Sequence, residues 1–301
     1  MSDFAHTRHD IDPSACSGCG TCADVCPAHV LGVEERDGEM RAVAVAAFAG
    51  ACMRCGHCMA ACPAGAIAVE GIAPADLFPL PPERPDPDAF QRLLERRRSV
   101  RTFRDEPVPR GLLERLVAMV ALAPMGYTPH KLDVTVVERP DTMRRALPAM
   151  VALYEKLVRA WRSPVGRWIV SRTLAPDARR ALATHVLPTM PGRLEGTRAG
   201  RWDTITRGAP AMLLFHSPAD AGNASEDARI AAAWALLAAH ALGLGATMVG
   251  LVPPAVEKTP ELRRLFGIPA AHRVHVAVIV GFPRYRFLRG LRRRLPAVHW
   301  V

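Results

Sequence analysis

Two runs of the sequence read Cys16-Ser-Gly-Cys19-Gly-Thr-Cys22-Ala-Asp-Val-Cys26-Pro27 and Cys52-Met-Arg-Cys55-Gly-His-Cys58-Met-Ala-Ala-Cys62-Pro63. Both follow the spacing C-x2-C-x2-C-x3-C-P, and together they contain all eight cysteines of the chain. Three thiolates two residues apart can surround one metal centre from a single tight loop. The proline fixes φ in the turn that carries the fourth cysteine. The repeated spacing therefore indicates two related metal-binding loops.

This spacing resembles that of the bacterial two-cluster ferredoxins, and the resemblance covers roughly the first 75 residues. In that family the fourth cysteine of each run ligates the cluster of the other run. The resemblance implies one [4Fe–4S] cluster on Cys16, Cys19, Cys22 and Cys62. It implies a second [4Fe–4S] cluster on Cys52, Cys55, Cys58 and Cys26.

Zinc and disulfides are the alternatives for these cysteines. Zinc sites favour two separated C-x2-C pairs and do not require a third and fourth cysteine at these offsets. Disulfides require an oxidising compartment, whereas the first 12 residues are polar and do not resemble a secretory signal. Both alternatives explain the repeated pattern poorly, and we expect a cytoplasmic protein.

The distribution of charge divides the chain. Residues 1–80 contain 4 arginines and 10 acidic residues, whereas the remainder contains 35 basic and 19 acidic residues. A chain of 301 residues is long enough for two domains, and this split suggests two modules with different partners. The basic part could bind nucleic acid, a membrane surface or an anionic cofactor. Because no nucleic-acid-binding motif is visible, we expect no nucleic acid partner.

Residues 230–252 form a nearly apolar run, interrupted by His240, that is long enough to cross a bilayer. The run is rich in alanine and is broken by Gly243 and Gly245. A buried helix followed by a turn and a strand explains it better. We therefore expect no transmembrane segment.

Six prolines between Pro74 and Pro87 predict a stiff linker. The predicted organisation is a two-cluster domain at 1–73, the linker at 74–87 and a second domain at 88–301. In the second domain we expect a helix capped by Asp88, and a long helix capped by Ser225 or Asp227. Residues 164–208 suggest an insertion or lid rather than a core element.

Residues 89–301 resemble the nitroreductase family, whose members are FMN enzymes and homodimers. The resemblance rests on four segments in the family's order. They are Arg97-Arg-Ser-Val-Arg101-Thr-Phe, the long helix leading to Gly243-Leu-Gly-Ala-Thr-Met-Val-Gly250, Leu265-Phe-Gly-Ile-Pro269 with the strand that ends in Gly281-Phe-Pro283, and the basic tail Arg289-Gly-Leu-Arg-Arg-Arg294.

The resemblance also implies the FMN-binding residues. Arg97, Arg98, Ser99 and Arg101 match the motif that binds the phosphate and ribityl chain, and guanidinium groups with a hydroxyl suit a phosphate dianion. Val249 and Gly250 match the backbone that contacts the flavin ring. Arg293 and Arg294 match the tail that reaches the phosphate.

One loop departs from the family pattern. Thr128 stands where the family commonly has an asparagine that hydrogen-bonds the flavin, and His130 replaces a glutamine. We keep Thr128 and His130 as flavin contacts, and the substrate class stays open.

The predicted fold is therefore α+β: a nitroreductase-like three-layer α/β/α domain with a mixed sheet, preceded by a small ferredoxin-like domain. The predicted function is an oxidoreductase whose chemistry is that of its cofactors. Electrons would pass from two [4Fe–4S] clusters to FMN and then to a small electron-poor acceptor such as a nitroarene, quinone or activated alkene. The donor would be a soluble ferredoxin, a flavodoxin or NAD(P)H. The alternatives are a non-enzymatic redox sensor or electron carrier, and a specialised flavin enzyme such as a reductive dehalogenase or a flavin-fragmenting enzyme.

Overall fold

The computed structural model describes residues 7–126, 131–172, 179–180, 182–292 and 294–301. The chain divides into two compact units, Met1–Arg84 and Pro85–Val301. The division lies inside the proline-rich segment at 74–87. The predicted domain limits themselves, 1–73, 74–87 and 88–301, stay a prediction.

The first unit contains two small antiparallel sheets and two short helices. β1 pairs with β4, and β2 pairs with β3. The elements are β1 (His9–Ile11), α1 (Thr21–Asp24), β2 (Leu31–Arg36), β3 (Glu39–Ala44), a 3-10 helix (Ala46–Ala51), α2 (His57–Ala61), β4 (Ile67–Val69) and a 3-10 turn (Pro74–Asp76). Four cysteines are buried with the apolar side chains of this unit: Cys16, Cys22, Cys52 and Cys58.

The two cysteine loops repeat in backbone conformation as well as in sequence. Gly20 and Gly56 occupy the same place in their loops, and each precedes a helix with φ of 78° and 74° respectively. Gly18 and Arg54, the residues before the second cysteines, also have positive φ, at 66° and 51°. Glycine reaches this left-handed region without strain. At Gly18 a Cβ would also lie 2.2 Å from the carbonyl oxygen of Met40, so this position requires glycine.

The second unit contains a four-stranded sheet and eight α-helices among the residues that the structure describes. The elements are α3 (Pro87–Arg96), α4 (Arg110–Val120), β5 (Asp133–Val137), α5 (Pro140–Arg162), α6 (Pro164–Arg172), a π-helix (Leu182–Val186), α7 (Met190–Arg198), β6 (Ala211–Pro218), α8 (Ala224–Ala241), β7 (Gly245–Met248), α9 (Val252–Lys258), α10 (Pro260–Phe266) and β8 (His272–Gly281).

Both faces of the sheet are buried, which makes three layers. The strand order is β5-β6-β8-β7, and the three ladders are antiparallel. Along β6, Met212 and Leu214 pack with α5, α7, α9 and α10, whereas Leu213 and Phe215 pack with α4 and α8. Alternation along a strand directs successive side chains to opposite faces. Among the described residues, a single parallel bridge between Ser99 and Ala246 makes the strand pairing mixed rather than purely antiparallel.

Residues 164–208 are not an insertion outside the core, so that prediction is wrong. Met190, Leu194 and Ile205 are each 1% exposed and pack in the same cluster as Met150 and Tyr154 of α5. The segment covers one face of α5. The partners of these three side chains on α5 lie far away in sequence, so the local pattern did not reveal this core role.

Both predicted helix caps are also wrong. Asp86 rather than Asp88 caps α3, because its carboxylate accepts from the amides of Asp88 and Ala89 at 3.0 and 3.2 Å. Asn223, in the left-handed conformation at φ 55°, precedes α8 in place of Ser225 or Asp227. The carboxylate of Asp227 has a different partner, described below.

The apolar run at 230–252 is divided between α8, β7 and the start of α9. Among the described residues, no helix has the length and hydropathy that a membrane span requires.

Candidate functional site

The eight cysteines line two separate cavities of the first unit. One cavity is lined by Cys16, Cys19, Cys22 and Cys62. The other is lined by Cys26, Cys52, Cys55 and Cys58. Each cavity thus receives three thiols from one run and the fourth from the other run. The proximity also appears in the electrostatics, since Cys62 and Cys16 act on the pKa of Cys22, and Cys26 acts on that of Cys58.

Several hydrogen-bond donors point at these sulfur atoms. The amide of Ala42 donates to Sγ of Cys16 at 3.4 Å, and the amide of Ala66 donates to Sγ of Cys62 at 3.3 Å. In the second set the amide of Arg54 donates to Sγ of Cys52 at 3.4 Å. Donors directed at sulfur stabilise thiolates and are one of the means by which proteins set cluster potentials. Four thiols around each cavity, with such donors, fit an iron–sulfur cluster.

The thiols differ in pKa because they differ in burial. Burial raises the pKa of the Cys58 thiol to about 11, and it also raises the pKa of Cys22. The exposed Cys19 has a lowered pKa because the hydroxyl of Thr21 lies 3.4 Å from its sulfur. Without a metal, Cys58 would therefore stay protonated at neutral pH. Coordination removes the thiol proton, so the buried cysteines are the ones whose charge depends most on a bound cluster.

In the second unit, the chain from Ser99 to Arg104 lies between two edges of the fold. On one side Ser99 bridges Ala246 of β7, and the amide of Val100 donates to the carbonyl of Ala246 at 3.1 Å. On the other side Phe103 bridges Pro283, directly after β8. The first, second and third segments that resemble nitroreductases therefore meet in space.

Two glycines allow this close contact. A Cβ on Gly245 would lie 2.7 Å from the side chain of Val100. A Cβ on Gly281 would lie 2.5 Å from Pro210 and 2.8 Å from Phe103. Neither glycine has a positive φ, so the space, rather than the backbone conformation, requires glycine at both positions.

Arginine side chains surround a cavity of about 940 Å³ beside this segment. Glu95 is the only acidic residue among those that line it. The lining arginines are Arg96, Arg98, Arg104, Arg284, Arg286, Arg289 and Arg292. The concentration of guanidinium groups suits a phosphate or another anion.

His240 also lines this cavity, although the sequence pattern did not predict a role for it in the site. Burial lowers the pKa of His240, and the positive charges of Arg96 and Arg97 lower it further. The imidazole is therefore neutral at physiological pH and can offer a hydrogen bond without adding charge. The feature of the sequence that could have indicated this role is that His240 is the polar residue within the apolar run 230–252.

The predicted flavin-binding residues lie in several places. Arg97 and Ser99 are half-buried, and the exposed Arg101 donates to the carbonyl of Ser99 at 3.3 Å. Val249 and Gly250 line a different cavity, together with Met248 and Pro253. Arg98 and the Val249–Gly250 backbone thus lie towards opposite ends of β7.

The remaining predicted contacts are partly outside the described residues. Arg294 is exposed. Thr128, His130 and Arg293 lie outside the residues that the structure describes, so their role as flavin contacts stays a prediction.

Asp227 is a site residue for which the sequence suggested the wrong role. Its side chain is 5% exposed, and its Oδ1 accepts from the amide of Gly126 at 2.8 Å. In the sequence, Gly126 stands two residues before Thr128. The carboxylate therefore fixes the backbone at Gly126, the last described residue before Thr128.

Comparison with known proteins gives two matches to family models. Residues 94–282 match the nitroreductase family, and residues 15–67 match a 4Fe-4S dicluster domain. An NADH dehydrogenase of Thermus thermophilus is 28% identical over 189 residues, which cover 62% of this chain and 83% of that protein.

Solved structures show the same fold in the second unit. A nitroreductase with bound FMN from Desulfitobacterium hafniense has a TM-score of 0.50 and 18% identity, and the match covers 70% of this chain and 97% of that chain. An FMN-dependent nitroreductase from Clostridium difficile has the same TM-score and identity, with 70% and 98% covered. The family-model matches confirm both resemblances, and these structures agree with the α+β fold class of the second unit.

Replacement of Asp227 by alanine would remove the charged acceptor of the Gly126 amide, and loss of a hydrogen bond to a charged group costs roughly 1.5–3 kcal/mol. We expect Asp227→Ala to lower the free energy of unfolding of the second unit by that amount, measured by urea unfolding. Tryptophan fluorescence is a selective probe, because all five tryptophans follow residue 85. Asp227→Asn keeps the Oδ1 acceptor and should lose less.

The matched control is Glu226→Ala, which removes an exposed carboxylate from the same turn of α8. It should change the unfolding free energy by no more than about 0.5 kcal/mol. Equal losses for Glu226→Ala and Asp227→Ala would contradict the anchoring role.

Proposed function

The chain belongs to the nitroreductase family, and we propose that it is an oxidoreductase in which two [4Fe–4S] clusters deliver electrons to FMN and then to an electron-poor organic acceptor. One observation carries the proposal: a chain of this family also has two sets of four cysteines, each set around its own cavity. We further propose a cytoplasmic homodimer. The eight free thiols agree with a reducing compartment.

When bound, the clusters supply one-electron transfer and the flavin supplies two-electron transfer to the acceptor. The residues of this chain hold and orient these groups. Cys16, Cys19, Cys22 and Cys62 would hold one cluster, and Cys26, Cys52, Cys55 and Cys58 the other. Sulfur-directed amides, such as that of Ala42, would stabilise the negative charge on the ligands.

The arginine-lined cavity would bind the phosphate of FMN through Arg98, with further positive charge from its other arginines. The chain between Leu244 and Gly250 would run beside the nucleotide. Arg98 lines the cavity at the Leu244 end of this chain, where the phosphate would bind, and Val249 and Gly250 at the other end would contact the flavin ring. The amide of Val249 already donates to the carbonyl of Ala277 at 2.9 Å, so other groups of this turn would contact the ring.

The proposal is tested on protein purified without oxygen. Two cubane clusters and one flavin predict about eight irons and about one FMN per chain. Titration with NADH, NADPH and reduced ferredoxin would identify the donor. Nitrofurazone and menadione would then report turnover. The control variant combines Cys16→Ala with Cys52→Ala, which should remove both clusters, keep FMN and lose turnover driven by reduced ferredoxin.

Four outcomes would count against the proposal. Protein without flavin, or with two zinc ions and no sulfide, would exclude the proposed cofactors. Flavin reduction without turnover of any acceptor would favour a sensor or carrier. Ferredoxin-driven turnover at the same rate in the cluster-free variant would remove the clusters from the electron path.

The exchange of the fourth cysteines predicts a specific pattern of iron loss. Cys16→Ala combined with Cys62→Ala affects one proposed cluster, so about four of about eight irons should remain. Cys16→Ala combined with Cys26→Ala affects both clusters and should remove nearly all iron. If each run instead held its own cluster, the two double variants would show the opposite result.

Arg98 provides a test of the phosphate site. Loss of a charge-assisted hydrogen bond costs about 1.5–3 kcal/mol, so Arg98→Ala should raise the Kd of FMN by about 10- to 100-fold. Riboflavin has no phosphate, and its Kd should not change. Flavin fluorescence measures both constants. Arg145→Ala removes an exposed arginine of α5 and should affect neither. Equal weakening of FMN and riboflavin in Arg98→Ala would contradict a phosphate contact.

A further inference from the structure

Three side chains at the edge of the β5-β6-β8 sheet direct ligand atoms at one another. Asp133 begins β5, His216 lies near the end of β6, and His272 begins β8. The antiparallel register places Asp133 opposite His216, and it pairs His272 with Pro218, two residues after His216. A bulge at Phe215–His216 shifts the register between β6 and β8 at this point. Bulges redirect side chains and are frequent beside functional sites.

The distances between the three ligand atoms suit a single small cation. Nδ1 of His216 lies 2.9 Å from Nδ1 of His272. Oδ2 of Asp133 lies 3.5 Å from Nδ1 of His272 and 4.0 Å from Nδ1 of His216. Zinc ligands at about 2.0–2.1 Å in a tetrahedron stand about 3.3–3.4 Å apart. The observed separations lie on both sides of that value.

Two of the three side chains are largely buried. The side chain of His216 is 4% exposed and that of His272 is 13% exposed, whereas Asp133 is 53% exposed. On the other side of the His216 ring, Nε2 lies 2.9 Å from Oγ1 of Thr135. If Nε2–H donates to this hydroxyl, the lone pair of Nδ1 points at His272 and Asp133. A partner of this kind on the second nitrogen is the usual device that orients a histidine ligand.

The local charges also favour a cation. Two imidazole lone pairs and a carboxylate oxygen repel one another unless a ring N–H or a cation lies between them. The guanidinium of Arg263 donates to the carbonyl of His272 at 2.9 Å and acts on His216. Arg263 is neutralised by Glu257, whose Oε1 lies 2.8 Å from its Nη2. The remaining candidates for this position are the Nδ1–H of one neutral ring and a metal ion.

We propose that Asp133, His216 and His272 form a binding site for a divalent transition metal, with zinc as the best match to two imidazoles and one carboxylate. Three protein ligands leave a fourth position for water or another donor. The proposal does not depend on the flavin or on the clusters, because none of the three residues is a cysteine or one of the proposed flavin contacts.

The test is zinc uptake by the cluster-loaded and flavin-loaded protein. Samples are dialysed against buffered zinc chloride, and zinc and iron are counted in the same sample by mass spectrometry. We expect one zinc per chain with no loss of iron. X-ray absorption at the zinc edge should show a nitrogen and oxygen shell at about 2.0–2.1 Å, whereas zinc captured by cluster cysteines would show sulfur at about 2.3 Å.

Variants identify the ligands. Asp133→Asn and His272→Ala should abolish the uptake. The Asp133 side chain is 53% exposed, so Asp133→Asn tests the ligand with little effect on folding. Thr135→Val keeps the shape but removes the orienting hydroxyl, so it should weaken zinc binding about 10- to 100-fold. The matched control is His275→Ala. His275 is a half-buried histidine of the same strand, and its Nε2 contacts Ser217 rather than this group. It should bind zinc as the unmodified protein does.

Three results would overturn the proposal. The first is no zinc uptake, which would leave an ordinary hydrogen bond between the two rings. The second is zinc uptake that Asp133→Asn and His272→Ala leave unchanged. The third is a sulfur shell at the zinc edge.

Discussion

The close contact between the chain at Val100–Phe103 and the sheet is the constraint on which the second unit depends. It requires the absence of a side chain at Gly245, where Val100 packs, and at Gly281, where Phe103 and Pro210 pack. Through this contact, the backbone at Ser99 joins β7. Adjacent arginines such as Arg98 are thereby held at the mouth of the charged cavity. The position of these arginines is therefore a consequence of backbone packing.

The first unit follows a different principle, because its loops are specified locally. The positive φ values at Gly20 and Gly56 allow each loop to reverse before its helix, and they recur because the sequence recurs. What is not local is the exchange of Cys26 and Cys62 between the two cavities. The exchange ties the two halves of the duplication together, so neither half could hold four thiols around a cavity by itself.

This difference explains how much the sequence could predict. Cysteine spacing determines a local loop, so the pattern identified the first domain, and the order of several segments identified the second. Helix caps were wrong at Asp88 and Ser225 because the choice of capping residue depends on where the preceding chain enters. The core role of Leu194 was missed because its partners lie on α5, far away in sequence. The residues around the arginine-lined cavity depend on such distant contacts as well, and spacing alone does not supply them.

β8 connects the features of the second unit. Its first residue, His272, belongs to the Asp133–His216 group. In the middle of the strand, the carbonyl of Ala277 accepts from the amide of Val249, which directly follows β7. The last residue, Gly281, packs on Phe103. Ten residues of strand separate these ends by about 30 Å. Perturbations at sites this far apart and without shared partners are usually additive. A change at the histidine end should therefore leave the arginine-lined end intact, and coupling between the two ends would mean that the whole strand moves as a unit.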